Sequence, residues 1–166
     1  MPNWCDTTYI CEGPKKQLTQ LYNNIQDCKN GKYNLIKNDF GNLWLGNLLI
    51  ALGCDDPIHK RARGDIVDYY WINDTLVIHM ETAWCEQEDV RKYIERKYPK
   101  IKVYYQDVEE GCEYYFSNDV NHKYFSEYAF IQSDDGSYVV YSETELKEKI
   151  KELKNPEYHL FKYEED

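Results

Sequence analysis

The chain has 166 residues, with 30 acidic and 20 basic side chains and a net charge of −10. A chain of this length can bury about 70% of its unfolded surface, enough for one real core. The acidic balance argues against a general binder of phosphate backbones, which needs a basic footprint, and no run approaches the roughly 18 apolar residues of a membrane span.

Met1 leads straight into polar Pro2-Asn3, with no basic start and no apolar run. No signal peptide is visible, so a cytoplasmic location is expected, with all six cysteines reduced. No Cys-x-x-Cys pair and no two histidines at ligand spacing occur, so neither a metal centre nor a cofactor is expected. The 17 tyrosines are unusual. Tyrosine offers a large rigid ring with a polar tip, which suits both strands and interfaces.

Residues 4–12, WCDTTYICE, alternate as a strand, with Thr7, Tyr9 and Cys11 on one face. Gly13-Pro14 opens a helix over Pro14–Ile25, because proline suits the first helical position. Leu18, Leu21, Tyr22 and Ile25 form its single apolar stripe. Asn42–Leu52 is apolar almost all round and predicts a short buried helix ending at Gly53, with a close packing contact at Gly46. Asp39-Phe40-Gly41 matches the kinase metal-binding triplet in letters alone, without the other kinase motifs. Cys54-Asp55-Asp56-Pro57-Ile58-His59 reads as a polar loop, and Lys60, Arg61 and Arg63 follow as the one basic cluster.

Asp65–Thr82 predicts a β-hairpin. Tyr69–Ile72 and Thr75–Met80 are its arms and Asn73-Asp74 its two-residue turn. Leu76, Ile78 and Met80 alternate with Val77, His79 and Glu81, which marks a core face and a freer face. Glu86–Lys97 predicts a second helix, its acidic residues early and its basic residues late, as the helix dipole favours. Pro99 ends it, and Ile101, Val103 and Tyr105 alternate as a further strand. Strand, helix, insert, strand, strand, helix, strand is the order of a ferredoxin-like α+β fold. It is an antiparallel sheet with two helices on one face. The expected division is residues 1–118 for this domain, with an insert at 32–64 that holds the short helix. Residues 119–166 are expected to form a ββα appendage docked on it. In that unit Tyr128–Gln132 and Tyr138–Tyr141 are strands, Ser142-Glu143-Thr144-Glu145 is a capping box and Asn155-Pro156 is a helix stop. The Glu164-Glu165-Asp166 tail is expected to fray.

The MPNWC opening, the Gly-Pro before the first helix, Thr82-Ala83-Trp84 at a strand-to-helix corner, Tyr98-Pro99 and Glu109-Glu110-Gly111 give a resemblance over about residues 1–118. Together they resemble the YubB-type ferredoxin-like family of plasmid and phage proteins. That family's Gly-Thr-Lys-Trp stretch has only Arg63-Gly64-Asp65 and Trp71 as its nearest counterpart. The resemblance implies the ferredoxin-like fold and a mobile-element origin. It implies no activity, so no catalytic residue is carried over.

The leading expectation is a non-enzymatic protein that binds a host macromolecule, one with a basic surface, through an acidic and tyrosine-rich face. Inhibition of host nucleic-acid machinery by charge mimicry is one form this could take. The expected partner surface is Tyr69, Trp71, His79, Glu81 and Tyr104, with Lys60, Arg61 and Arg63 as a separate basic loop. One alternative is a single-stranded nucleic-acid module that stacks bases on the free sheet face, although the net charge makes nucleic acid an unfavourable partner. The other is a small enzyme that uses His79 with Glu81 or Cys112. Trp4 and Trp84 are expected to seal a core edge and to pack near each other.

Overall fold

The computed structural model describes residues 2–36 and 39–164. Strand β1 (Trp4–Glu12) leads to helix α1 (Lys15–Lys29), short helix α2 (Leu45–Ala51), strands β2 (Gly64–Ile72) and β3 (Thr75–Ala83), and helix α3 (Glu88–Lys97). Strands β4 (Lys102–Glu109) and β5 (Tyr114–Ser117) follow. The C-terminal unit comprises β6 (Ala129–Ser133), β7 (Gly136–Val140), helix α4 (Glu143–Glu152), β8 (Glu157–Leu160) and β9 (Lys162–Tyr163).

The main sheet runs β2-β3-β1-β4-β5-β9. Its first four strands are antiparallel neighbours in the ferredoxin-like order. Strand β1 is central, paired with β3 on one side and β4 on the other. Its alternation is as the sequence predicts: Cys5, Thr7, Tyr9 and Cys11 are buried. Tyr9 and Cys11 meet Leu18, Leu21 and Ile25 of α1 and Val90 and Ile94 of α3 in one core, together with Ile78, Met80, Val103 and Tyr105. Both long helices therefore cover the same face. Helix α2 joins that layer and packs against both of them. Gly46 is required there, because a Cβ would lie 2.2 Å from the Trp44 ring.

Several boundaries differ from the sequence expectation, each for a physical reason. Helix α1 continues to Lys29, which adds buried Cys28 to the stripe. Helix α3 begins at Glu88 rather than Glu86, because Glu86 and Gln87 turn inward and are buried. Strand β2 starts at Gly64, five residues before the expected arm, and shifts register between Ile66 and Asp68. A Cβ at Gly64 would stand 2.2 Å from the Glu81 carbonyl oxygen, so only glycine permits this close pairing. At the hairpin tip Asn73 adopts φ 50, as the turn demands.

The C-terminal unit is ββαβ rather than ββα. Strand β8 pairs with β6 to complete a three-stranded sheet, β7-β6-β8. The capping box forms in part: Ser142 Oγ accepts from the Glu145 N–H at 3.1 Å. The Glu145 carboxylate instead reaches the Tyr141 N–H at 2.8 Å. Two features dock this unit. Tyr115 packs against Phe130 and Phe161, and β9 adds a parallel strand to β5. The expected frayed tail is ordered at Glu164, whose N–H donates to the Ser117 carbonyl at 2.8 Å. Glu165 and Asp166 lie outside the described residues.

Ile78 has no exposed surface and sits in the centre of the core. Ile78→Ala should lower unfolding free energy by about 2–5 kcal/mol, from lost transfer energy and the cavity left behind. His79→Ala, one position along but on the opposite face, should cost about 1 kcal/mol for its hydrogen bonds. Urea denaturation of the two variants checks the difference.

Candidate functional site

The sheet face away from the helices is narrower than the sequence suggests. Tyr115 and Val108 point outward and are covered by Phe130 and Phe161 of the C-terminal unit. Residues 119–125 reach over β4, where Tyr124 meets Tyr104 edge-on at 4.9 Å and Lys123 binds Glu12 at 2.6 Å. The Lys123 ammonium holds the Glu12 carboxyl below its usual range. What stays open is the outward side of β1, β3 and β2.

The strands of that side carry one sign of charge. Strands β1, β2 and β3 contain no lysine or arginine, yet they carry Asp6, Glu12, Asp65, Asp68 and Glu81. Asp65 stands directly opposite Glu81, and Glu81 directly opposite Asp6. Three carboxylates thus form a row across three strands. Like charges in directly opposed positions destabilise a sheet. Among the described residues no basic side chain pairs with any of the three. Burial, and then the Glu81 charge, raise the Asp65 carboxyl above its ordinary value. A shallow cavity of about 400 Å³ lies beside the row, lined by Asp6, Thr8, Val67, His79 and Glu81 among others.

The expected partner residues divide between the two faces. Tyr69 and Trp71 point the other way, into the helix layer, where both pack against Tyr22. The two-residue turn at Asn73-Asp74 pairs Trp71 with Leu76 and Tyr69 with Ile78, so both share the core side and cannot join an outer surface; the bulge at Val67 acts further back and turns Asp65 outward. His79 and Glu81 do lie on the open face. Tyr104 shares it but is covered by Tyr124. His79 is held on both sides, with Nδ1 2.9 Å from Thr8 Oγ1 and Nε2 2.9 Å from the Tyr70 hydroxyl. Among the described residues it makes no contact with a cysteine. Cys112 Sγ instead accepts from Asn3 Nδ2 at 2.7 Å. Nor do the described residues contain any group of three or more His, Cys, Asp or Glu placed to hold a metal.

The two tryptophans behave otherwise than expected. Trp4 and Trp84 are each 52% exposed, so neither seals a core edge, and among the described residues no ring-to-ring contact joins them. Trp84 lies at φ 72, its N–H held by the Asn3 carbonyl at 2.9 Å. Exposed Phe40 and Ile58 and buried Trp44 line a cavity with Trp4, while Trp84 lies beside the basic loop. The basic loop is positioned from behind: the Arg61 N–H donates to Asp89 Oδ2 at 2.8 Å and the Arg63 N–H to Gln87 Oε1 at 2.9 Å. His59 is engaged by Asp56 at 2.7 Å.

A buried polar network supports this end from the helix side. Thr7 Oγ1 lies 2.6 Å from Thr82 Oγ1 and 2.7 Å from Asp107 Oδ1. Asp107 Oδ2 accepts the Glu86 N–H at 2.6 Å. The Glu86 carboxylate takes the Tyr9 hydroxyl and the Arg91 Nε–H, the latter at 3.0 Å. Arg91 also lies over the Tyr105 ring and 3.5 Å from Glu164. Burial raises the Asp107 carboxyl to about 6, although Thr7 and the Glu86 amide favour its charged form. Burial raises Glu86 as well, against the pull of Arg91 and Tyr9.

The expected partner surface includes Glu81 but not Asp6 or Asp65; the outward position of Asp6 follows from the alternation of β1, whereas that of Asp65 depends on the bulge. The aromatic surroundings of Trp4 come from the insert, which no periodicity connects to β1. No protein-family model matches this chain, and neither a curated protein nor a solved structure matches it significantly.

Asp107 predicts a pH dependence with a definite sign. Its carboxyl is raised from 3.8 to about 6, so the folded chain holds this proton more tightly than the unfolded chain. The resulting stability is full below about pH 4 and is lost as pH rises through about 6, an effect on the order of 3 kcal/mol. Glu86 shifts in the same direction. Urea denaturation from pH 4 to 7 should show this decline in the wild type and lack its Asp107 share in Asp107→Asn.

Proposed function

We propose that this chain is a non-enzymatic binding protein that engages a basic segment of a host macromolecule through the open face of β1, β3 and β2. The observation that carries the reading is the row of Asp65, Glu81 and Asp6, in register across adjacent strands with no basic residue on those strands. Such a row weakens the sheet that holds it. A cationic partner relieves the repulsion, so the partner's binding energy includes what the isolated chain forgoes. Asp68 enlarges the field at the edge strand. The net charge of −10 steers positive partners toward the chain over longer distances.

The resemblance to the YubB-type family supports a phage or plasmid origin, with a bacterial cytoplasmic protein as the target. A protein that normally grips nucleic acid has the required basic surface, so competition with phosphate is a natural mode of action. No helix among the described residues is long and apolar enough to cross a membrane.

Affinity capture from a bacterial lysate, at low and at high salt, tests the proposal. The wild type should retain basic proteins, and retention should fall steeply with salt. The Asp6→Asn, Asp68→Asn, Glu81→Gln triple variant alters outward side chains and should fold normally by circular dichroism. It should lose retention by roughly ten-fold or more, since charge complementarity carries the interaction. Equal retention by the variant, or no specific partner at either salt concentration, would count decisively against the proposal.

A further inference from the structure

Two cavities meet at Arg63, at the Trp4 end of the open face. The larger, about 480 Å³, is lined by Trp4, Phe40, Trp44, Ile58, Arg63 and Asp65, among others. The smaller, about 230 Å³, is lined by Lys60, Arg61, Arg63 and Trp84, among others. The larger is within the size range of small-molecule sites, which are mostly apolar with a few placed polar groups. Phe40 and Trp44 stack at 5.1 Å to form one wall. Trp4 at 52% exposure, Phe40 at 56% and Ile58 at 64% leave considerable apolar surface in water. A tryptophan at φ 72 is a strained conformation for a bulky side chain, and here it sets an exposed indole among three basic residues.

The chemistry of the lining restricts the ligand. Aromatic walls take a planar ring by stacking. The Lys60, Arg61 and Arg63 side chains supply positive charge for a phosphate, with arginine able to grip it in two places. Asp65, when ionised, only accepts hydrogen bonds, so the ring must present donors on its edge. Guanine is the common base with two adjacent donors, N1–H and the N2 amino group, and one carboxylate accepts both. We propose that this end of the sheet binds a guanine nucleotide, its base in the aromatic cavity and its phosphate on Lys60, Arg61 and Arg63. The nucleotide can be free or part of a single strand. The neighbouring carboxylate row and the net charge of −10 oppose further phosphates, which favours the free form. The site shares Asp65 with the carboxylate row, but its aromatic walls and basic loop lie outside the proposed contact with a basic partner, and it does not depend on that contact.

The test is isothermal calorimetry on the full chain with GMP, AMP, guanosine, inorganic phosphate and a short guanine-rich DNA strand. GMP should bind saturably, with AMP, guanosine and phosphate each about ten-fold weaker or worse. Trp4→Ala and Arg63→Gln alter exposed side chains, so both variants should fold, and each should weaken GMP about ten-fold. Arg63→Gln should leave guanosine binding unchanged. Asp65→Asn should abolish the preference for GMP over AMP. Tighter binding of the strand than of GMP assigns the site to nucleic acid; equal or weaker binding assigns it to the free nucleotide. No saturable GMP binding at millimolar concentration, equal GMP and AMP binding by the wild type, or indifference to Trp4→Ala and Arg63→Gln would overturn the proposal. None of these readouts involves the Asp6, Asp68 and Glu81 contacts, so the two proposals fail independently.

Discussion

The two-residue period of β1 is the constraint from which the rest of the molecule follows. This strand is paired on both sides, so its side chains have only two directions available. Cys5, Thr7, Tyr9 and Cys11 take the helix side, where Tyr9 and Cys11 share one core with α1, α2 and α3. Every polar or charged group that strand neighbours cannot bury must then go to the other side. The acidic face is therefore a product of the fold's parity combined with a sequence that omits lysine and arginine from three strands.

Beneath that face, polar groups are buried where an apolar core would have been simpler. Thr7, Thr82, Asp107 and Glu86 connect three strands to the connector before α3, and Arg91 extends the chain of contacts to Glu164. Buried ion pairs seldom add much stability, but they do enforce one geometry, because any other arrangement strands a charge. Here that geometry sets the Thr82-Ala83-Trp84 corner. It also ties the end of the C-terminal unit to the first domain.

The ferredoxin-like core was legible because its signals are local and periodic: alternation in β1 and β3, single stripes on α1 and α3, Asn73 at the hairpin tip and Pro99 after a helix. What escaped depended on long-range geometry. A bulge at Val67 turned Asp65 outward beside Glu81, and bulges leave no reliable mark in a single sequence; the inward side of Tyr69 and Trp71, by contrast, already follows from the two-residue turn that pairs them with Ile78 and Leu76. Glu86 looked like a first-turn acid, favourable to the dipole, yet it is withdrawn into the network. Strands β8 and β9 are short and polar, so they carry almost no alternation. The surroundings of Trp4 were hidden for a different reason: Phe40, Trp44 and Ile58 come from an irregular insert whose path no pattern reveals.

The six-stranded sheet also ends in a particular way. Its β2 margin is interrupted by the bulge and bridged by residues 43–44, through the Ile66 N–H to Leu43 carbonyl bond and the Trp44–Asp65 bridge. Its other margin is β9, only two residues long. Neither border is a long, regular template on which a foreign chain could lay its own backbone. Zipper-like extension of this sheet is thus disfavoured at both borders. A visitor to the sheet must read its side chains broadside, not lengthen its hydrogen-bond ladder.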